Sequence, residues 1–379
     1  MPKAPAIFPL TFVLASLAMP LAAQDNPPSF GGYELKVLAN ADGVSVAQRD
    51  GREVLTVSRA AVMLADAEFA EGVIEFDISF ADQFGFGGVN WHVSDDGQDS
   101  EYFYLRQHKS GEPDAGQYTP VRGGLTSWQI FTDANAIAPF AYTHEGWNRV
   151  RIVVAGDKAD FYFNGSTAPV IHVPDLASDR GTGGIAFRSS GPGGRIDIAN
   201  LAIRPLAPGE AIIGQPAAVE TPPDGVIGSW AVSQPFDEAL VLGQLALPRA
   251  VASLPQIATV AVESFGIADL SRAAAPDDGA DTVLVSTRIN ASRARRVRLN
   301  FGYSDRVRLF LNGELVFEGD AGWRVRDHFF LGTVGFKDAV MLDLRQGENV
   351  LTAAVSETFG GWAFAGAIAD REGLKVDAQ

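Results

Sequence analysis

The hydrophobic pattern of this chain repeats every two residues over much of its length, the spacing of strands with one wet face and one buried face. Val73-Ile-Glu-Phe-Asp-Ile-Ser-Phe80 alternates cleanly and puts Ile74, Phe76, Ile78 and Phe80 on a core face. Residues 147–154 do the same with Val150, Ile152 and Val154 inward. Asp157 and Lys158 then turn into a strand at 159–163, and Asn164-Gly165 closes the next turn. Segments 184–188 and 195–199 extend the series. Helical periodicity is almost absent, so many short antiparallel strands predict a sandwich or a barrel.

The stretch from Phe86 to Thr119 differs in what its wet face carries. Its first arm alternates Val89, Trp91 and Val93 with Gly88, Asn90 and His92; its second alternates Phe103 and Leu105 with Tyr102, Tyr104, Arg106 and His108. Ser94 to Ser100 between them is turn chemistry, so the arms pair as a hairpin. One face is then greasy, and the other holds Asn, two His, two Tyr and an Arg. Gln117, Tyr118, Thr119 and Arg188 can complete that face. Aromatic rings cover the apolar C–H faces of a sugar while Arg, Asn and His bond hydroxyls directionally. Two readings stay open: a face that holds a ligand, or one buried by a neighbouring loop or domain.

Residues 205–225 contain Pro205, Pro208, Pro216, Pro222 and Pro223 among Ala, Gly and Glu, which reads as a semi-stiff linker. A second β-rich block follows, with strands expected at 282–289, 296–301, 306–317, 339–344 and 349–355, and a short helix or irregular loop in 236–254. The expected organisation is all-β: a signal peptide at 1–23, a β-sandwich at 31–204, the linker at 205–225, and a second β-sandwich at 226–370. Each sandwich is expected to fold alone.

Lys3, the apolar run from Ile7 to Leu21, and Leu21-Ala22-Ala23 before Gln24 form the pattern of a secretory signal. The run is short and broken by Pro9 and Pro20, and no later stretch is long and apolar enough for a transmembrane helix. A secreted or periplasmic protein is expected. The chain has no Cys, which removes disulfides and thiolate metal sites. A formal net charge of −16 argues against nucleic acid and anionic membranes as partners.

Gly87-Gly-Val-Asn-Trp-His92, Trp147-Asn-Arg-Val-Arg-Ile152, Phe163-Asn-Gly165 and Gly184-Ile-Ala-Phe-Arg188 together resemble the concanavalin A-like lectin/glucanase superfamily. Among its branches they look most like laminin G-like and 3-keto-disaccharide hydrolase domains. The resemblance covers residues 31–204 and implies a two-sheet jelly roll whose concave face often holds sugar. Arg308-Leu-Phe-Leu-Asn-Gly-Glu314 and Leu344-Arg-Gln-Gly-Glu-Asn-Val-Leu351 resemble the galactose-binding-like jelly roll over residues 226–370. Such domains are as often structural as ligand-binding.

Glu75 and Asp77 share a strand face, as carboxylates of family 16 glucanases do, but the third carboxylate of that pattern is missing at Ser79-Phe80. They read as solvated strand residues. His92 and His108 lack the fixed spacing of a metal motif. Asp95, Asp96 and Asp99 offer the oxygen ligands Ca²⁺ takes, without the ordered spacing of a known loop, and no other cofactor is indicated. Trp323 and Trp362, each beside charged groups in loop-like settings, form a second stacking site or plug the end of the sandwich. The function that follows is carbohydrate binding on the polar hairpin face. Its rivals are a glycoside hydrolase of the 3-keto-disaccharide hydrolase type and an adhesive module that binds protein.

Overall fold

The structure is a computed structural model and describes residues 28–277, 279–326 and 332–377. The signal segment 1–23 lies outside the described residues. Two sheets use residues up to Arg204. One has the strand order Ser29–Phe30, Tyr33–Ala39, Ala61–Phe69, Gly183–Ser190, Phe86–Val93, Ser100–Arg106, Gly116–Arg122, Leu125–Thr126. The other runs Ile171–Val173, Lys158–Phe163, Asn148–Ala155, Gly72–Ser79, Arg195–Arg204, Arg52–Ser58, Val44–Arg49. The pairings are antiparallel, so short turns join neighbours and each strand needs only one apolar face.

Those apolar faces meet in one core. Val62, Leu64, Val89, Trp91, Phe103, Leu105, Ile185 and Phe187 come from the first sheet, and Ile74, Phe76, Ile78, Val150, Ile152, Phe161, Ile196 and Ile198 from the second. Each fully buried side chain of this size stabilises the fold by roughly 1.5–3 kcal/mol. Asn164 and Gly165 both have positive φ, as the tight turn that follows the strand Lys158–Phe163 requires.

Residues from Ser229 onward build two further sheets, packed around Trp230, Val285, Leu299, Phe301, Leu309, Val355 and Phe364. The stretch expected as one strand at 306–317 is two, Arg306–Leu311 and Glu314–Asp320, folded back at Asn312-Gly313. Both turn residues have positive φ, so the dipeptide that looked like strand interior is the hairpin turn. The 236–254 segment carries a 3-10 turn, Glu238–Leu240, and one α-helical turn, Arg249–Ala252.

Between the two sets of sheets, residues 205–225 run without a strand. Leu206 and Ile212 lie against Val73, Val153 and Tyr162, and the Ile213 and Gly214 amides donate to Asp160. The first core also takes in Ile267, Val334, Ala363 and Ala365 from later in the chain. Arg122 pairs with Asp269 across this seam, both buried, and Ser127 Oγ donates to the same carboxylate at 3.0 Å.

Candidate ligand-binding face

The outward face of the first sheet, opposite the core, is ordered into two cross-strand rows. Register places Ala39, Ala61, Arg188, Gly88, Tyr104 and Gln117 side by side across six strands. The adjoining row is Met63, Ala186, Asn90, Tyr102 and Thr119. The hairpin Phe86–Val93 and Ser100–Arg106 thus supplies the centre, and the structure brings Asn90, Tyr102, Tyr104, Gln117 and Arg188 together. Gly88 is needed here because a Cβ would overlap the Phe103 carbonyl.

Within this face the polar groups divide into two sets. Arg106 Nη2 donates to Gln117 Oε1 at 2.5 Å and to the Tyr104 hydroxyl at 3.1 Å, while Nη1 donates to the Asp114 carbonyl at 2.6 Å. Tyr104 donates to the same Gln117 oxygen at 2.7 Å, and Gln117 Nε2 donates to the carbonyls of Trp128 and Phe131. This network is closed, and it ties the 127–131 loop down over the sheet. Arg106, expected to meet a ligand, is instead buried and committed to Tyr104, Gln117 and the Asp114 carbonyl. A guanidinium on a strand between a Tyr and a Gln finds its partners within the sheet before any ligand arrives.

The second set is unpartnered. The Tyr102 hydroxyl and Asn90 Oδ1 are buried and accept or donate no hydrogen bond among the described residues. Asn90 holds only Ser100 Oγ, through Nδ2 at 2.9 Å. Burial pushes the Tyr102 phenol well above its ordinary value, and the nearby Arg188 charge pulls it back. Among the described residues the side chain of Arg188, half-buried, makes no hydrogen bond or ion pair. A buried polar atom without a protein partner costs about 1–3 kcal/mol, and two of those found among the described residues lie on this face.

Aromatic rings border these groups. Tyr102 and Tyr104 stack with centroids 5.0 Å apart. Phe86 meets Tyr104, Phe84 meets Phe86, and His108 lies 4.5 Å from Phe84. Trp128 packs against the tyrosines and sits 6.0 Å from Phe359, which is 6.3 Å from Trp323. Phe84, Trp323 and Phe359 are exposed. Phe84, Phe86, Trp128 and Phe359 were not expected from the sequence; Phe86 heads the same alternating run as Asn90, while Phe84, Trp128 and Phe359 lie outside it.

Three expectations are corrected here. His92 leaves the face: its φ is +53°, the pairing with Gly183–Ser190 shifts register beside it, and Nε2 bonds the Ala70 carbonyl at 2.8 Å. Val93 takes its side, packing with Met63 and Ala186. Tyr118 points into the core and donates to Glu101 Oε2 at 2.7 Å. Trp362 is fully buried in the second core with Nε1 on the Val355 carbonyl, so it offers no stacking surface. Trp323 is exposed, with the Arg324 guanidinium 4.2 Å over its ring.

Asp96 accepts from Ser94 Oγ and the Gln98 amide, and Asp99 from the Gly123 amide. Asp95 is bound through its carbonyl to Lys36. These aspartates shape the hairpin turn. Among the described residues no three His, Asp or Glu side chains converge as a metal site. Glu75 and Asp77 lie on the outer face of the other sheet, both held by Arg149, at 2.6 and 3.2 Å.

No family model matches the sequence, and no curated protein matches it. Among solved structures, the chain is similar to the carbohydrate binding module CBM66 from Bacillus subtilis at 13% identity and TM-score 0.34, covering 44% of this chain and 92% of that one. It is similar to a Bacillus licheniformis beta-glucanase at 10% and 0.35, covering 47% and 94%. A prokaryotic beta-1,3-1,4-glucanase (lichenase) derived from a mouse hindgut metagenome matches at 10% and 0.34, covering 47% and 96%.

Proposed function

We propose that this protein binds a carbohydrate on the outward face of its first sheet, and that it does so outside the cytoplasm, where the signal-like amino terminus would deliver it. The observation that carries the reading is the buried Tyr102 hydroxyl, which meets no protein partner while the unpaired Arg188 stands beside it. A hydroxyl-bearing ligand would supply what both lack. The rings of Trp128, Phe86 and Phe84 along the margin would lie against the C–H faces of sugar units. An empty pocket for a purely apolar ligand would have no use for Asn90 Oδ1 and Tyr102.

Binding is preferred to hydrolysis because neither cross-strand row carries a carboxylate. Glycoside cleavage by the common route needs two, one as acid and one as nucleophile or base. The test is a glycan array followed by calorimetric titration and product analysis on the hits. A hit that binds the parent, is lost in Tyr102→Phe, and is returned uncut supports the reading. Release of reducing ends would move it to the hydrolase class, and unchanged affinity in Tyr102→Phe would move the site elsewhere.

A further inference from the structure

We infer that the ligand of this face is an acidic glycan, whose carboxylate or sulfate is taken by Arg188 together with Arg59. This deepens the carbohydrate reading and rests on it. Arg59 and Arg188 line one shallow, open depression of about 410 Å³, with Ala39, Ala60, Ala61, Ser189, Ser190, Gly191 and Pro192 around them. The register explains the depression: Ala39 and Ala61 lie on one side of Arg188 in its row, and Gly88 on the other, so small residues leave the guanidinium standing in open space.

Charge makes Arg188 unusual. The chain has 46 Asp and Glu against 30 Lys and Arg, so a cation here has acids in excess to pair with. Arg49, Arg149, Arg204, Arg272 and Arg306 are all ion-paired. Among the described residues the half-buried Arg188 side chain has neither ion pair nor hydrogen bond, so its guanidinium faces the open depression without a protein partner. Arg59 adds a second, independent sign. Its φ is +47°, a backbone conformation that side chains other than Gly, Asn and Asp avoid. That conformation is pinned by its amide on the Gly194 carbonyl and Ser189 Oγ, and by Asn40 Nδ2 on its carbonyl. The backbone is thus fixed in a strained form while the side chain bonds nothing, the arrangement of a residue presented outward. Two guanidiniums over one depression match the planar, two-oxygen geometry of a carboxylate or sulfate.

Tyr102 and Asn90 lie outside the depression, in the row next to that of Arg188, so a glycan with its anion on the arginines would run on toward those two groups.

The experiment is an array of uronate-bearing, sulfated and neutral glycans, with titration of the hits against the parent, Arg188→Gln and Arg59→Asn. Asn suits the left-handed backbone at 59, so that variant keeps the fold, and melts run in parallel confirm it for both. Acidic glycans are expected to bind at least about tenfold tighter than neutral ones of the same backbone. Arg59→Asn should remove most of that preference and leave neutral binding nearly as it was, Arg188→Gln should weaken both kinds of binding and the acidic kind more, and added salt should narrow the preference. Hits confined to uronates or to sulfated chains identify which anion is read. Hits on neutral glycans alone, or an acidic preference that survives both variants, overturn the inference while the carbohydrate reading stands. No hit in any class overturns both.

Discussion

Tyr102 and Tyr104 stack on each other, yet loss of their hydroxyls is expected to have opposite consequences. Tyr104 is a donor to Gln117 and an acceptor from Arg106, so Tyr104→Phe should cost about 1–2 kcal/mol of stability. Tyr102→Phe removes a buried hydroxyl that nothing satisfies, so the melt should hold or rise. Its cost should appear in ligand affinity instead, about tenfold or roughly 1.4 kcal/mol. Thermal melts and titration of both variants check this, and equal melting temperatures would mean that the network around Gln117 is weaker than its geometry. Glu75→Gln with Asp77→Asn should leave affinity unchanged, because Arg149 and the whole core separate them from the binding face. A loss of more than about tenfold would show that they reach the ligand.

At the scale of elements, the 127–131 loop decides how the face is shaped. Gln117 holds it by two carbonyls, and Trp128 hangs from it over the tyrosines. Trp128→Ala is expected to weaken glycan binding by about 1–2 kcal/mol with little change in the melt, since the ring is only partly buried. Gly360→Ala should act from the other side: its Cβ would overlap the Gln129 side-chain oxygen, lift the loop, and lower stability. The strands and the hairpin were legible in the alternation itself, because period two follows from the pleat wherever one face is buried. Asn90, Tyr102 and Arg188 were legible for the same reason. The reading failed at His92, where a positive φ and a register shift exchange the faces without leaving a mark in the pattern. It failed again at Arg106 and Trp362, because which polar group is spent inside the fold, and which ring is swallowed by a core, depends on contacts between distant segments. Arg59 and Trp128 lie in turns, where no periodicity points anywhere.

For the whole molecule, the buried acids set a pH response. Burial pushes the Glu101 carboxyl up to about 7 from an ordinary 4.5, against hydrogen bonds from Tyr118 and the Ser178 amide and the charge of Arg122, with Asp179 adding to the rise. The folded state therefore holds this proton more tightly, and stability should fall as pH rises from about 4.5 to about 7, by up to about 3 kcal/mol. Burial raises Glu357 as well, with the same sign. Melts across this range should show the slope, and Glu101→Gln should flatten it; an unchanged slope would place its origin elsewhere. The seam where Arg122 meets Asp269 has a mechanical meaning. Its side chains are walled in, and Phe131 packs edge-on against Phe265 beside the shared apolar contacts. Separating the halves would bare a cation, an anion and a greasy patch at once, so the joint has no graded way to loosen. Pulled from its two ends, the chain should resist as one brittle body and give way in a single force peak, where beads on a string would give two.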